Sequence, residues 1–438
     1  MNGQPSKFLK VTGAVIGNAL EWYDFTVYAF MTPIISRLFF PMDPSNPNAH
    51  INALLATTAV FGVGFVMRPV GGLVLGIIGD KYGRRTGMLL GMTIMAVATV
   101  LMTFAPTYKQ IGVIAPLFIL VSRMMEGFSV GGEFGTSTAY LIEMAPKGKS
   151  GIYGSWQLTG QIAALAVGAG FGVYLTQCFT QAQLESGIWR VPFGFGLIII
   201  PGAWYIRRFL QESETFINMK KQQKLNPGKS LGKDLVGHTR HLLVSIGMIT
   251  ASAVSFYGIF TYTVTYSKEV LHLPMADGFL AQLVGCVITV ALIPVGGLLC
   301  DRFRDHRKGM LVTFLGIYFL MMYPLYAWQM VSPSLTKLIM VQTAICPVAA
   351  LFLGVYTTTM SELFPARLRA TGLSVANNVA VLVFGGFAQF FLTWIFKLTG
   401  SSLAPVYYVM GGLALGFIGA MLMPESKDED LTVPVTVS

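Results

Sequence analysis

Charge is what this sequence has least of. Of its 438 residues, 11% are Asp, Glu, Lys or Arg, against about 25% in a soluble domain. So little charge cannot cover the surface of a water-soluble enzyme or scaffold. Cysteine is scarce too: Cys178, Cys286, Cys300 and Cys346 fall singly in or beside apolar segments, with no pair at metal-ligand or redox spacing, which excludes a disulfide framework and a zinc site. No nucleophile–base set or metal cluster stands out, so neither an enzyme nor a cofactor is expected. The short alternating segments of a membrane β-barrel are also missing.

Long apolar runs are abundant instead. The hydrophobic fraction is 54%, with 48 glycines, and the mean hydropathy is +0.63. A helix needs about 20 mostly apolar residues to cross a bilayer, so the chain reads as a helical membrane protein. The net charge of +10 would suit a nucleic-acid binder only if the basic residues clustered on a soluble domain. They sit between apolar runs, so the lipid bilayer is the expected partner and nucleic acid is not. Lys7 and Lys10 precede the first run as in a signal peptide, but that run holds Glu21 and Asp24 and is too long for one. It is expected to remain as the first span.

Breaks in hydropathy predict twelve spans, starting near residues 11, 51, 86, 111, 150, 188, 241, 275, 308, 334, 369 and 402. Alternate loops collect 22 of the 30 basic residues on one side and six on the other, Arg37, Lys109, Arg190, Lys268, Lys337 and Lys397. By the positive-inside rule, both termini are expected in the cytoplasm. The polar, basic stretch 209–240 is expected to be a cytoplasmic linker between residues 1–208 and 241–438, each a bundle of six spans.

An internal repeat supports that division. GIIGDKYGRR (76–85) is answered by GLLCDRFRDHR (297–307), and EMAPKGKSG from Glu143 by ELFPARLRATG from Glu362, with offsets of 221 and 219 residues. Half the chain is 219, so a duplicated six-span unit is indicated.

Buried charge points to function, because an ionisable side chain at a span's centre costs about 2.5–3.5 kcal/mol and usually faces a cavity or partner. Glu21 and Asp24, three apart in span 1, share a helical face about 16 and 21 Å along the helix from Lys10. Two carboxylates that close repel when both are ionised, which favours proton binding by one; a structural ion pair to a neighbouring Arg is the alternative. Arg68 in span 2 is too deep to reach the surface easily and needs a buried anion, either a span 1 carboxylate or a substrate. In span 4, Arg123, Glu126 and Glu133 form one polar stripe, expected to face the central cavity or span 1, with Gly127, Gly131 and Gly135 on the opposite side as a packing seam. Arg123 is read as a substrate or coupling residue, or as part of a structural network. The second half offers uncharged groups: Tyr257, Tyr262 and Tyr266 in span 7, and Asn377 and Asn378 in span 11. These either orient a ligand or pack helices, and Trp156 and Gln157 in span 5 carry the same two readings.

GxxxDxxGRR between spans 2 and 3, with its degenerate copy between spans 8 and 9, resembles the signature of the major facilitator superfamily. The stretches GNALEWYDF (17–25), RPVGG (68–72), RMMEGFSVGGE (123–133), GSWQ (154–157), WRVPF (189–193) and ELFPARLRATG (362–372) narrow the resemblance to its metabolite:proton symporters. Their known solutes include citrate and other organic acids, shikimate, proline and betaine.

The resemblance implies an all-α fold of twelve transmembrane helices in two pseudo-symmetric six-helix bundles. It also implies proton-coupled import of a small carboxylate-bearing solute by alternating access, by a monomer in a bacterial inner membrane. A proton-driven exporter and a non-transporting receptor are the competing readings. Carried onto this chain, the resemblance places Asp80 near the start of span 11 and pairs Arg84 or Arg85 with Glu143. Asp301, Glu362 and Arg367 belong to the second copy of this gate. The chain departs from the family's pattern at Glu126, where Gln is common, at Ser150, where a basic residue is usual, and at Arg304 and Asp305.

Overall fold

The computed structural model describes residues 7–41, 45–82, 84–131, 137–138, 140–142, 144–197, 201, 237–364 and 369–424. Twelve helical segments can be followed through them. The first half contains α1 (Lys7–Phe39), α2 (Ala49–Tyr82), α3 (Arg84–Thr103), α4 (Ile114–Val130), α5 (Ser150–Cys178) and α6, of which 191–197 are described. The second half starts with α7, built of Thr239–Val254, a π-helical turn Ser255–Thr261 and Thr263–Glu269. It continues with α8 (Met275–Arg302), α9 (Arg307–Val331) and α10 (Leu335–Glu362). The eleventh, α11, joins Arg369–Val381, a π-helical turn Leu382–Gly386 and Ala388–Thr399, and α12 is Ala404–Leu422. No strand occurs among the described residues, and eight helices there are long and apolar enough to cross a membrane by length and composition.

Each half packs on itself, α2 with α4 and α1 with α5 in the first, α7 with α12 and α8 with α10 in the second. The halves meet along α5–α8 and α2–α11. Advancing each number by six within the repeat converts one seam into the other, as a duplicated unit with a pseudo-twofold axis requires.

Small residues set how closely these helices approach. A side chain at Gly127 would collide with the Gly64 carbonyl and one at Gly131 with the Arg68 carbonyl, so the span 4 glycines let α4 lie directly on α2. Gly135, the third member of the expected seam, lies outside the described residues. Across the halves, Gly151 at the start of α5 rests on the Gly297 backbone of α8.

Between the first pair of motif-bearing spans, α2 continues to Tyr82 and α3 begins at Arg84. The motif therefore straddles two helix ends, with Asp80 in the last turn of α2. The side chains of Asp80, Arg84 and Arg85 lie outside the described set.

Candidate transport site

Helices α1, α2 and α4 carry the buried charges into the first bundle. Glu21, Asp24, Arg68, Arg123 and Glu126 are each at most 3% exposed. Arg123 forms an ion pair with Glu126 one turn along α4, and its guanidinium lies 4.6 Å from the Tyr28 ring centroid. The Asp24 carboxyl accepts a 2.8 Å hydrogen bond from the Thr99 hydroxyl of α3 and faces Glu126 at hydrogen-bonding range. Asp24 Oδ1 and Glu126 Oε2 have no donor. Two carboxylates in contact repel, whereas one proton between them makes a hydrogen bond; the pair has the geometry of a proton site. Glu133, the third member of the stripe, lies outside the described residues.

Glu21 takes another direction despite sharing a helical face with Asp24. It acts electrostatically on Arg68 of α2, as does the Tyr257 hydroxyl of α7. The Arg68 guanidinium is stacked among rings, 3.9 Å from the Phe65 centroid, 4.9 Å from Phe25 and 5.4 Å from Trp22. Rings hold a cation from its faces and leave its edge donors unfilled. Arg68 Nε and Nη2, and Arg123 Nε and Nη1, make no well-aligned hydrogen bond, and the Tyr257 hydroxyl faces Arg68 with no other partner. Buried donors of this kind are costly unless they meet an acceptor.

The ring set also joins the two halves. Trp22 packs on Phe256 with centroids 4.8 Å apart and Phe65 on Tyr257 at 5.6 Å. Phe65 also lies against Gly386 in the π-helical turn of α11. Both π-helical turns of the second bundle thus touch this seam, and such turns occur often at functional sites.

Other expected residues are distributed differently. Tyr262 bonds to Thr393 at 3.3 Å inside the second bundle and, with Tyr266, lines a crevice of about 10 Å³, room for roughly one water. Asn377 is buried, while Asn378 donates to the Gly131 carbonyl at 3.1 Å, tying α11 to the end of α4. Gln157 donates to Ser137 at 2.9 Å, and the neighbouring Gln161 to Asn18 of α1 at 3.0 Å. Trp156 is corrected: it is 41% exposed and lies on the outside of its bundle, because adjacent residues on a helix point about 100° apart.

Both ends of the seam are closed. At the motif end, Asp301 in the last turn of α8 accepts from the Gly151 and Ile152 amides at 2.6 and 2.9 Å. It caps the start of α5, where a helix favours an anion. Ser150 donates to Glu362 at 2.9 Å, and Arg307 forms an ion pair with Glu362. These contacts involve the second copy of the repeated motif, Asp301 and Glu362 included. Arg307 was not among the expected residues, although its neighbours in GLLCDRFRDHR were. Glu143 and Arg367 lie outside the described residues. At the opposite end, His50 of α2 meets Glu269 of α7 at 2.9 Å, and Lys397 of α11 donates to Asn52 of α2 at 2.7 Å.

Two bundles closed on one another around buried charges form the architecture of a multi-pass secondary transporter. The chain matches the family model for sugar (and other) transporters over residues 10–236 and 218–433. A citrate-proton symporter of Klebsiella pneumoniae is 32% identical over 410 residues, covering 94% of this chain and 89% of that protein. A proline/betaine transporter of Escherichia coli (strain K12) is 32% identical over 430 residues, covering 96% and 84%. The crystal structure of a D-xylose-proton symporter superposes with a TM-score of 0.73 at 17% identity, covering 95% of this chain and 98% of that one, a likeness of fold. The chain belongs to the sugar (and other) transporter family, within the major facilitator superfamily. It is a membrane transporter and not an enzyme.

Proposed function

We propose that the protein is a proton-coupled importer of a small carboxylate-bearing metabolite, an organic acid or a zwitterion such as proline or betaine, working by alternating access. The observation that carries this reading is the unfilled Nε–Nη2 edge of Arg68, because that edge presents two parallel donors to a carboxylate. The rings around Arg68 fix the direction of this edge. Tyr257 stands on the second bundle where it can contact the same ligand, so a bound carboxylate bridges the two halves.

Arg123, Glu126 and Asp24 supply the coupling. While Glu126 is ionised it holds Arg123. A proton shared between Asp24 and Glu126 weakens that ion pair and frees Arg123 to strengthen the field on an incoming anion. Loss of the proton restores the pair and favours release. Glu21 balances Arg68, and Glu133 is a further candidate for the coupling proton. Tyr262, Asn377 and Gln157 shape the surroundings of the path.

Gating rests on the duplicated motif. Asp301, Glu362 and Arg367 are assigned to one seam at the motif end, and by the repeat Asp80, Arg84, Arg85 and Glu143 to its counterpart, with Asn378 as an added tie. The surplus of basic residues at this end supports a cytoplasmic position for it and for both termini. Its bacterial relatives favour a bacterial inner membrane, where the carrier would work as a monomer, with 209–240 as the linker between halves 1–208 and 241–438.

A thermal-shift screen of the purified carrier with citrate, proline and glycine betaine across pH tests the assignment, since a ligand of the native state raises its unfolding temperature. A shift with one solute that disappears in Arg68→Ala supports it. Equal shifts in both proteins remove Arg68 from the site.

A further inference from the structure

The six basic residues on the less basic side serve as little more than a topology count in the sequence, yet two of them, Arg37 and Lys268, join His50, Glu185 and Glu269 in one cluster at that end. His50 stands in the first turn of α2 and Glu269 at the end of α7, so their 2.9 Å contact joins the first bundle to the second. Glu269 is largely enclosed, with 16% of its side chain exposed, and its Oε1 has no hydrogen-bond partner. The charges around Glu269 come from three elements: Lys268 beside it on α7, Arg37 at the end of α1, and His50 on α2. Glu185, in the short helix Gln181–Ser186 after α5, faces Lys268 and pairs with Arg37 at 3.7 Å.

Only a second tie accompanies this contact among the described side-chain bonds crossing the same end, the bond from Lys397 to Asn52. A lysine and an amide do not change charge between pH 5 and 8, whereas an imidazole does. With His50 protonated, the contact is a charge-assisted bond between a cation and a carboxylate. With His50 neutral, one ring nitrogen still reaches Glu269, but the attraction between opposite charges is gone. Lys268 and Arg37 add to His50 in favouring the ionised form of Glu269 against the cost of its burial. Of the side chains in these two ties, the imidazole is therefore the one able to gain or lose a proton in this range.

We propose that His50 and Glu269 form a second proton-binding site, separate from the deep acids, which latches the outer end of the carrier shut when the outside is acidic. The sign follows from the charges. Acid outside charges His50, strengthens the tie between α2 and α7 and favours the closed outer end; alkali weakens it and favours opening. For an importer that loads protons from outside, the latch favours closure of a loaded carrier in the conditions that load it.

The test uses electron spin resonance distance measurements on the full carrier in liposomes without substrate, so the outcome does not depend on the solute. Labels go on Ala182→Cys beside α5 and Leu398→Cys at the end of α11, both exposed positions, in a Cys178→Ser background, because the other three cysteines are buried. The separated-label population is expected to rise about two- to fivefold between pH 5.5 and pH 8, the range of a partly exposed ion pair. His50→Gln and Glu269→Gln are each expected to abolish the rise. An absent rise in the parent protein, or one that persists in either variant, overturns the proposal. Should either variant fail to fold, His50→Asn provides the same neutral replacement.

Discussion

The carboxyl groups of Asp24 on α1 and Glu126 on α4 face one another inside the first bundle, with Thr99 donating to one and Arg123 paired with the other. Both residues are at most 2% exposed, so water cannot separate their charges. A proton is the simplest particle that reconciles them, and its arrival alters the hold of Glu126 on Arg123. Coupling in this account is thus a local exchange of partners among three side chains, read out by the two bundles.

Glu126→Gln should uncouple the carrier. The amide keeps the volume and donates to Asp24, mimicking the protonated pair in every state. Gradient-driven accumulation in proteoliposomes is expected to fall at least tenfold while solute exchange persists, and Asp24→Asn should behave alike. Normal accumulation in both variants would remove these acids from the coupling role.

Arg68→Lys should weaken binding without removing the charge. Lysine keeps a cation among the rings but lacks the two parallel donors of the guanidinium edge. A charge-assisted hydrogen bond contributes about 1.5–3 kcal/mol, so the Kd measured by calorimetry should rise about tenfold or more. Trp156→Ala, outside the bundle, should leave the Kd unchanged.

Asp301→Asn should loosen the motif end. Its carboxylate accepts two amides of α5, and an amide side chain has one acceptor oxygen and no charge to offer that helix start. In vesicles with the motif end exposed, labelling of a cysteine placed at Thr358, where the native hydroxyl donates to the Ser150 carbonyl, should speed up several-fold. The substrate Kd should stay within about twofold.

Gly127→Ala should destabilise the fold rather than the chemistry. The added methyl meets the Gly64 carbonyl, and overpacking of this kind costs about 1–3 kcal/mol. The apparent unfolding temperature in detergent should drop by several degrees, with the Kd of the surviving folded protein unaltered.

The sequence exposed the architecture well, because the bilayer permits few solutions: span starts predicted at 51, 150, 275 and 369 lie within two residues of α2, α5, α8 and α11. The offset between Asp80 and Asp301 likewise pointed to a repeated motif, and Asp301 occupies a helix start, that of α5. Helical spacing could put Glu21 and Asp24 on one face, but it could not show that they turn to different helices, since that depends on where α2, α3 and α4 lie. The rings that cradle Arg68 were hidden for a related reason. Trp22, Phe25 and Phe65 look like ordinary span residues until α1 and α2 are packed together. His50 and Glu269 stand 219 residues apart, the repeat offset, but they are different residue types, so no motif similarity marks them as partners.

The most direct test of the central claim is substrate-driven proton uptake, followed with a pH dye trapped inside liposomes at equal starting pH on both sides. Once a binding solute has been identified, its addition outside should acidify the lumen of liposomes holding the parent carrier. With Glu126→Gln the solute should equilibrate across the membrane and leave the internal pH unchanged. Solute entry without acidification in the parent, or undiminished acidification in Glu126→Gln, would contradict the account.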